Sequence, residues 1–396
     1  MTMLKPEHDL FYNFPLCGEN HCPGELLRAR NVEIETATPC SASQVVYVST
    51  GARGQRIAVS GTLLRPTVGW RGPGPRPIIS YGMGVHGLSR NVAPSYLMRL
   101  GREIEVPLLD QALARGWNVA VTDGDGLGMP GPHTYGAGRP GGHAMLDIVR
   151  AAAHSDLMRD DASFPVALWG YSEGGRCAAW AAELQPTYAP ELDLRAVAAG
   201  GVPADLYKMA RAIDGGQFSG LGLAVVVGLM HAYDDPALGR VLNARGRAAA
   251  ESAARMDVTK LIREHPEEIR RHTVRDEPWD EPVWRSLLEQ ERNGRIGPKV
   301  PVYLYHLEDD QLVPTEQARA LHDNYVALGV DVTWTTVRAD NHLAGAFEGA
   351  PHALWWLNQR LGVPRWAAAA ENSARTPQGS TNPVRSDHAG GHLVIE

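Results

Sequence analysis

Val166-Ala167-Leu168-Trp169-Gly170-Tyr171-Ser172-Glu173-Gly174-Gly175-Arg176-Cys177-Ala178-Ala179-Trp180-Ala181-Ala182-Glu183-Leu184 decides how the rest of the chain is read. The apolar run 166–169 has the length and composition of a buried strand, and 176–184 reads as a helix. Gly-x-Ser-x-Gly sits between them, which is the pattern of a nucleophile elbow. The turn must be so tight that a Cβ at Gly170 or Gly174 would strike the neighbouring strand or helix. Ser172 then stands at a helix N-terminus, where backbone N–H groups favour developing negative charge. The bland alternative is an ordinary glycine-rich turn, and the strand–turn–helix setting argues against it.

Outward from this stretch, short buried strands alternate with helices. Gln44–Thr50 and Arg56–Leu64 flank Gly51-Ala52-Arg53-Gly54 and read as a hairpin. Pro77–Tyr81, Trp117–Thr122, 166–169 and Arg195–Ala199 read as strands, with helices over Glu103–Arg115 and His143–His154. Gly116 is placed to end the first of these helices. The rhythm breaks over residues 204–298, which are mainly helical and read as a cap insertion. It resumes with strand Pro301–Leu307, helix Thr315–Leu328, strand Val332–Val337 and helix Pro351–Leu361. The expected fold is α/β, a mostly parallel sheet flanked by helices. The domains expected are an irregular arm over 1–40, a core over 41–203 and 299–365, the cap, and a disordered tail over 370–396.

Composition narrows the function. With 44% hydrophobic and 21% charged residues the chain can bury a sizeable core. The net charge of −7 and the lack of a basic cluster give nucleic-acid binding little support. No apolar run is long enough to span a membrane; Leu221–Met230 is too short. The start has no basic segment followed by an apolar one, so the chain as it stands reads as cytoplasmic unless a signal has been removed. Lysine occurs only four times against a total of 38 basic residues, a bias seen with GC-rich bacterial genomes. Cys17 and Cys22 are near enough in sequence to bridge, while Cys40 and Cys177 have no obvious partners and Cys177 reads as a reduced thiol. His133, His143, His231 and His306 lack ligand-like spacing, so no catalytic metal and no cofactor is expected.

A serine hydroxyl needs a base to activate it and a third group to orient the base. In α/β-hydrolases these follow in the order serine, acid, histidine, on loops after later strands. The acidic loop Glu308-Asp309-Asp310 follows a buried strand, and residue types alone leave all three carboxylates open. His342 follows the last strand and precedes a helix; a solvated loop histidine is the alternative. The N–H of Glu173 should be one oxyanion donor, with the second from the loop Gly82-Met83-Gly84-Val85-His86-Gly87-Leu88. Tyr171, Met83 and Gly84 are the candidate substrate contacts. The Glu173 carboxylate should point sideways and pair with an arginine. Asp123 and Asp125, at a strand end, read as loop caps rather than site residues. The apolar run Leu221–Val227 of the cap reads either as an acyl pocket or as plain core packing.

These motifs resemble the secretory lipases of the LIP type, a bacterial and fungal branch of the α/β-hydrolases. The resemblance spans roughly residues 10 to 362. It is carried by Pro23–Arg30, Ala93-Pro94-Ser95-Tyr96, Val121–Gly131, the elbow, and Ala199–Leu206. It implies Asp310 as the acid, in its Asp-x-x-Val-Pro setting, His342 as the base and His86 as the second oxyanion residue. It also implies a small-molecule acyl ester as substrate, of open chain length. The chain departs from the family at Val92, where a disulfide cysteine is usual, at His86, where Asp or a small residue is usual, and in lacking a leader. Those departures point to an intracellular paralogue with a tailored acyl substrate. Ester hydrolysis through an acyl-enzyme is the leading reading. Acyl transfer by the same triad, a serine peptidase, and a catalytically dead binding protein are the alternatives.

Overall fold

The computed structural model describes residues 3–14, 20–158 and 164–362. Nine strands form one sheet: β1 (Leu26–Val32), β2 (Cys40–Thr50), β3 (Arg56–Pro66), β4 (Ile78–Gly82), β5 (Asn118–Thr122), β6 (Val166–Tyr171), β7 (Leu194–Gly200), β8 (Val302–Leu307) and β9 (Val332–Val337). Their order is β1-β2-β3-β5-β4-β6-β7-β8-β9. The first three pairings in this order are antiparallel, and from β5 to β9 every pairing is parallel. The hairpin β2–β3 and the parallel strands fall where the apolar runs placed them. The arm is not wholly irregular, because β1 lies within it and pairs with β2. Its Leu-Leu-Arg-Ala-Arg pattern fits a half-exposed edge strand.

Period-two alternation along β6 feeds two cores. Val166 and Leu168 pack on one face beneath the helices Gly138–Ala153 and Glu173–Tyr188. Ala167 and Trp169 pack on the other, against the helices Val106–Ala114 and His342–Leu361. Helix Val106–Ala114 begins later than the sequence suggested and does end before Gly116, whose φ is +81°. Both faces of β6 are therefore covered, as a parallel sheet requires.

Between β7 and β8 the chain forms six α-helices: Leu206–Ile213, Ser219–Tyr233, Pro236–Gly239, Ala244–Ala253, Val258–Glu264 and Pro282–Gln290. Side chains of Asp205, Asp235, Asn243 and Asp257 cap four of these at their N-termini. Ser219–Tyr233 is apolar on all sides and correspondingly buried through most of its length. Residues up to Gly362 form one compact unit, so this cap belongs to the same body as the sheet. Among the described residues no helix is long and apolar enough to cross a membrane. Cys40 and Cys177 are free thiols. Cys17 lies outside the described residues, and with it the expected Cys17–Cys22 pairing; the expected disordered tail over 370–396 lies outside them too.

The elbow is the tightest part of the fold. Ser172 has φ 58° and ψ −122°, a conformation that costs a non-glycine residue about 1–3 kcal/mol. It is held from both sides: Ser172 N–H donates to Gly200 O, and its carbonyl accepts from Arg176 N–H, each at 2.9 Å. A Cβ on Gly174 would collide with the Gly82 carbonyl of β4, and one on Gly170 with the Gly174 backbone. Gly174→Ala should therefore lower stability by at least the roughly 1–3 kcal/mol of an overpacked core. Urea unfolding checks this, and an unchanged midpoint would show that the strand and helix can move apart.

Candidate active site

Ser172 directly follows β6, Asp310 lies in the turn after β8, and His342 opens the helix after β9. The parallel order of β6, β7, β8 and β9 brings these loops to one edge of the sheet. His342 Nε2 lies 2.8 Å from Ser172 Oγ, and His342 Nδ1 lies 2.6 Å from Asp310 Oδ2. Asn341 fixes the histidine by capping its helix, accepting from Ala344 N–H at 3.0 Å. The ring of Tyr171 packs beside that of His342, with centroids 5.0 Å apart.

The three carboxylates of the acidic loop separate cleanly. Glu308 pairs with Arg338 at the surface, at 2.5 Å, and Asp309 is exposed. The Asp310 carboxylate is buried; its Oδ1 accepts from the N–H groups of Leu312 and Val313, each at 2.9 Å. Burial alone would raise its pKa, but His342 and these two amides hold it below the ordinary carboxylate value. A second histidine, His306, stands 3.6 Å from Asp310 Oδ2, with Nε2–H donating to Val313 O at 2.9 Å. Burial lowers its pKa and keeps it neutral. It shields the acid without adding charge, and nothing in its sequence setting signalled that.

The helix Glu173–Tyr188 starts directly after Ser172, so the Glu173 amide has no carbonyl one turn back to bind. The Glu173 side chain is not paired with arginine as expected. Its carboxyl is buried, with Oε1 4.0 Å from Cys177 Sγ, and desolvation raises its pKa. Arg176 instead binds Glu291 of the cap, at 2.5 Å to the carbonyl and 3.3 Å to the carboxylate. The cap claims the arginine because both partners are fully buried there and each would otherwise be an unpaired charge.

His86 shares its loop with a charged cluster that the sequence did not disclose. Its Nδ1 lies 2.8 Å from Gly84 O and its Nε2 2.7 Å from Glu103 Oε2. Both partners accept, so both ring nitrogens donate and the ring is an imidazolium. Burial opposes this charge, yet Glu103 and Glu105 push the pKa up to about 9. Glu105 in turn accepts from Tyr81 OH at 2.6 Å and Gly84 N–H at 2.9 Å. Sequence reasoning placed Glu103 and Glu105 in a helix; they lie in the turn before it and face the loop.

A cleft of about 920 Å3 opens onto Ser172 and His342, lined by Tyr171, Gly84, His86, Leu221 and Val258 among others. Gly84 thus borders the cleft, but Glu105 occupies its N–H. Met83 lines a smaller cavity of about 40 Å3 that shares Gly84 and His86 with the cleft and also borders Glu173. Of the run Leu221–Val227, Leu221 lines the cleft, while Leu223, Ala224 and Val227 pack into the cap core. Asp123 is a loop cap as expected, accepting from Ser95 N–H at 2.7 Å and Ser60 Oγ at 2.6 Å. Burial raises Asp123 and Asp125 to about 6.

A mostly parallel sheet with a serine on a strained turn after β6, and an acid and a histidine after β8 and β9, is the α/β-hydrolase fold. Solved structures agree. Candida antarctica lipase A superposes with a TM-score of 0.82 at 23% identity, covering 92% of this chain and 88% of that one. A rice cell wall degrading esterase from Xanthomonas oryzae gives 0.71 at 22%, covering 86% and 98%. The chain belongs to the secretory lipase family, whose model matches residues 93–365. Among its relatives, a probable inactive lipase of Mycobacterium tuberculosis is 32% identical over 90% of this chain and 83% of its own length. Lipase 5 of Candida albicans is 28% identical over 90% and 81%.

The His86 cluster has a pH signature. Its folded pKa, about 9, lies above the ordinary 6.5. The imidazolium therefore stabilises the fold fully below pH 6.5, and that stability is lost as pH rises through 9. Denaturation midpoints should fall between these values, and His86→Gln should flatten the fall. An equally steep fall in the variant would show that His86 is neutral in the native state.

Proposed function

We propose that the protein hydrolyses carboxylic esters through an acyl-enzyme formed on Ser172. The observation that carries this reading is the unbroken hydrogen-bond relay from Asp310 through His342 to Ser172, ending at a strained residue on the wall of a large cleft. Asp310 accepts from His342 Nδ1–H, which leaves the Nε2 lone pair facing the serine hydroxyl. His342 takes the Ser172 proton as Oγ attacks the ester carbonyl. The oxyanion that forms is held by the backbone N–H groups of Glu173 and His86. His342 then protonates the leaving alcohol, and water repeats the steps on the acyl-enzyme.

The family and the named lipases among its relatives support an ester as substrate. One relative bears the name of an inactive lipase, so turnover itself is the first thing to measure. With short- to long-chain p-nitrophenyl esters, Ser172→Ala should lower kcat by at least about 10^4-fold and Asp310→Asn by about 10^4-fold. Circular dichroism should be unchanged in both. Full activity in Ser172→Ala would overturn the proposal. Product analysis with added alcohols and amines should give free acid; acylated acceptor as the main product would favour acyl transfer.

A further inference from the structure

His265, Glu267 and His272 form a cluster in the cap, away from the relay. Each offers one ligand atom, and these atoms lie within 4.8 Å of one another. Among the described residues no other group of three such side chains is spaced this way. Both imidazoles are buried, at 9% and 3% exposure. His265 Nε2 and His272 Nδ1 have no hydrogen-bond partner, which is unfavourable for buried polar atoms. His272 Nε2 lies 3.1 Å from Glu267 Oε2. Arg245 pairs with the other carboxylate oxygen, Glu267 Oε1, leaving Oε2 on the histidine side.

The backbone around the cluster is already organised. His265 caps the C-terminus of the helix Val258–Glu264. Ser219 Oγ, at the start of the buried cap helix, donates to Glu267 O at 2.8 Å. Asn243 N–H, at the start of the helix Ala244–Ala253, donates to His272 O at 3.1 Å. Three cap helices thus converge on three ligand-type side chains. Two imidazoles and one carboxylate are the donors of a borderline cation such as Zn2+, with a fourth position open. Mg2+ and Ca2+ prefer all-oxygen sets.

We propose that His265, Glu267 and His272 bind a first-row divalent cation, Zn2+ foremost, as a structural site in the cap. No catalytic metal is expected from the sequence, and the role proposed for this site is structural. At the other end of the helix it caps, Val258 N–H donates to His86 O at 2.9 Å, and Gly87 bridges Asp257. That helix has seven residues, about 10 Å of rise. A cation at His265 would stiffen the element that borders the cleft and supports the His86 loop.

The test uses the full chain, stripped with a chelator and dialysed. Titration with ZnCl2 against a chromophoric chelator should show one equivalent bound, and the thermal midpoint should rise with Zn2+ but not with Mg2+ or Ca2+. Co2+ in place of Zn2+ should give visible ligand-field bands. His265→Ala and His272→Ala should each weaken binding by at least about tenfold, and so should the milder, partly exposed Glu267→Gln if the histidine variants do not fold. No stoichiometric Zn2+ binding by the native chain, equal stabilisation by Ca2+, or unchanged affinity in Glu267→Gln and the folded histidine variants would each overturn the proposal.

Discussion

The close approach of β4, β6 and the helix Glu173–Tyr188 is the constraint on which the rest depends. Gly82, Gly170 and Gly174 meet backbone to backbone, with no room for a Cβ at Gly174. That contact lets the chain reverse so sharply that Ser172 is forced to φ 58° and its hydroxyl is left standing at the strand end. The strain of about 1–3 kcal/mol persists because hydrogen bonds to β7 and to the first helical turn over-determine the turn. Acid and histidine then need only arrive on the loops of β8 and β9, which the parallel topology delivers to the same edge.

A second layer of organisation lies around the loop after β4. Tyr81, Glu103, Glu105 and His86 form one buried polar network, satisfied internally at distances of 2.6–2.9 Å. Such a network is rigid when complete and costly when broken. It fixes the backbone of Gly84 and His86, while the cap holds the far side of the same loop through His86 O and Gly87. The loop after β4 is therefore clamped between sheet and cap.

Much of this was legible in the sequence, and the failures have physical causes. The strands β4 to β8 show as apolar runs because both faces of the sheet are covered there, and the order serine, acid, histidine follows from the topology. Glu308, Asp309 and Asp310 were inseparable from residue types alone, because one residue of loop shift decides which carboxylate turns inward. β1 was missed because Arg28 and Arg30 give an edge strand the look of an irregular arm. The arginine expected beside Glu173 went to Glu291, a partner more than a hundred residues away that no local pattern indicates. Glu103 and Glu105 read as the first turn of a helix, and only the fold turns them inward on the loop of His86.

The central claim is that Ser172 is a nucleophile activated through His342 by Asp310. Its most direct measurement is covalent labelling with an alkyl phosphonate fluorophore, followed by mass mapping of the modified peptide. The account predicts one label per chain, on Ser172, lost in His342→Ala at unchanged fold. Label on another residue, or undiminished labelling of Ser172 without His342, would contradict it.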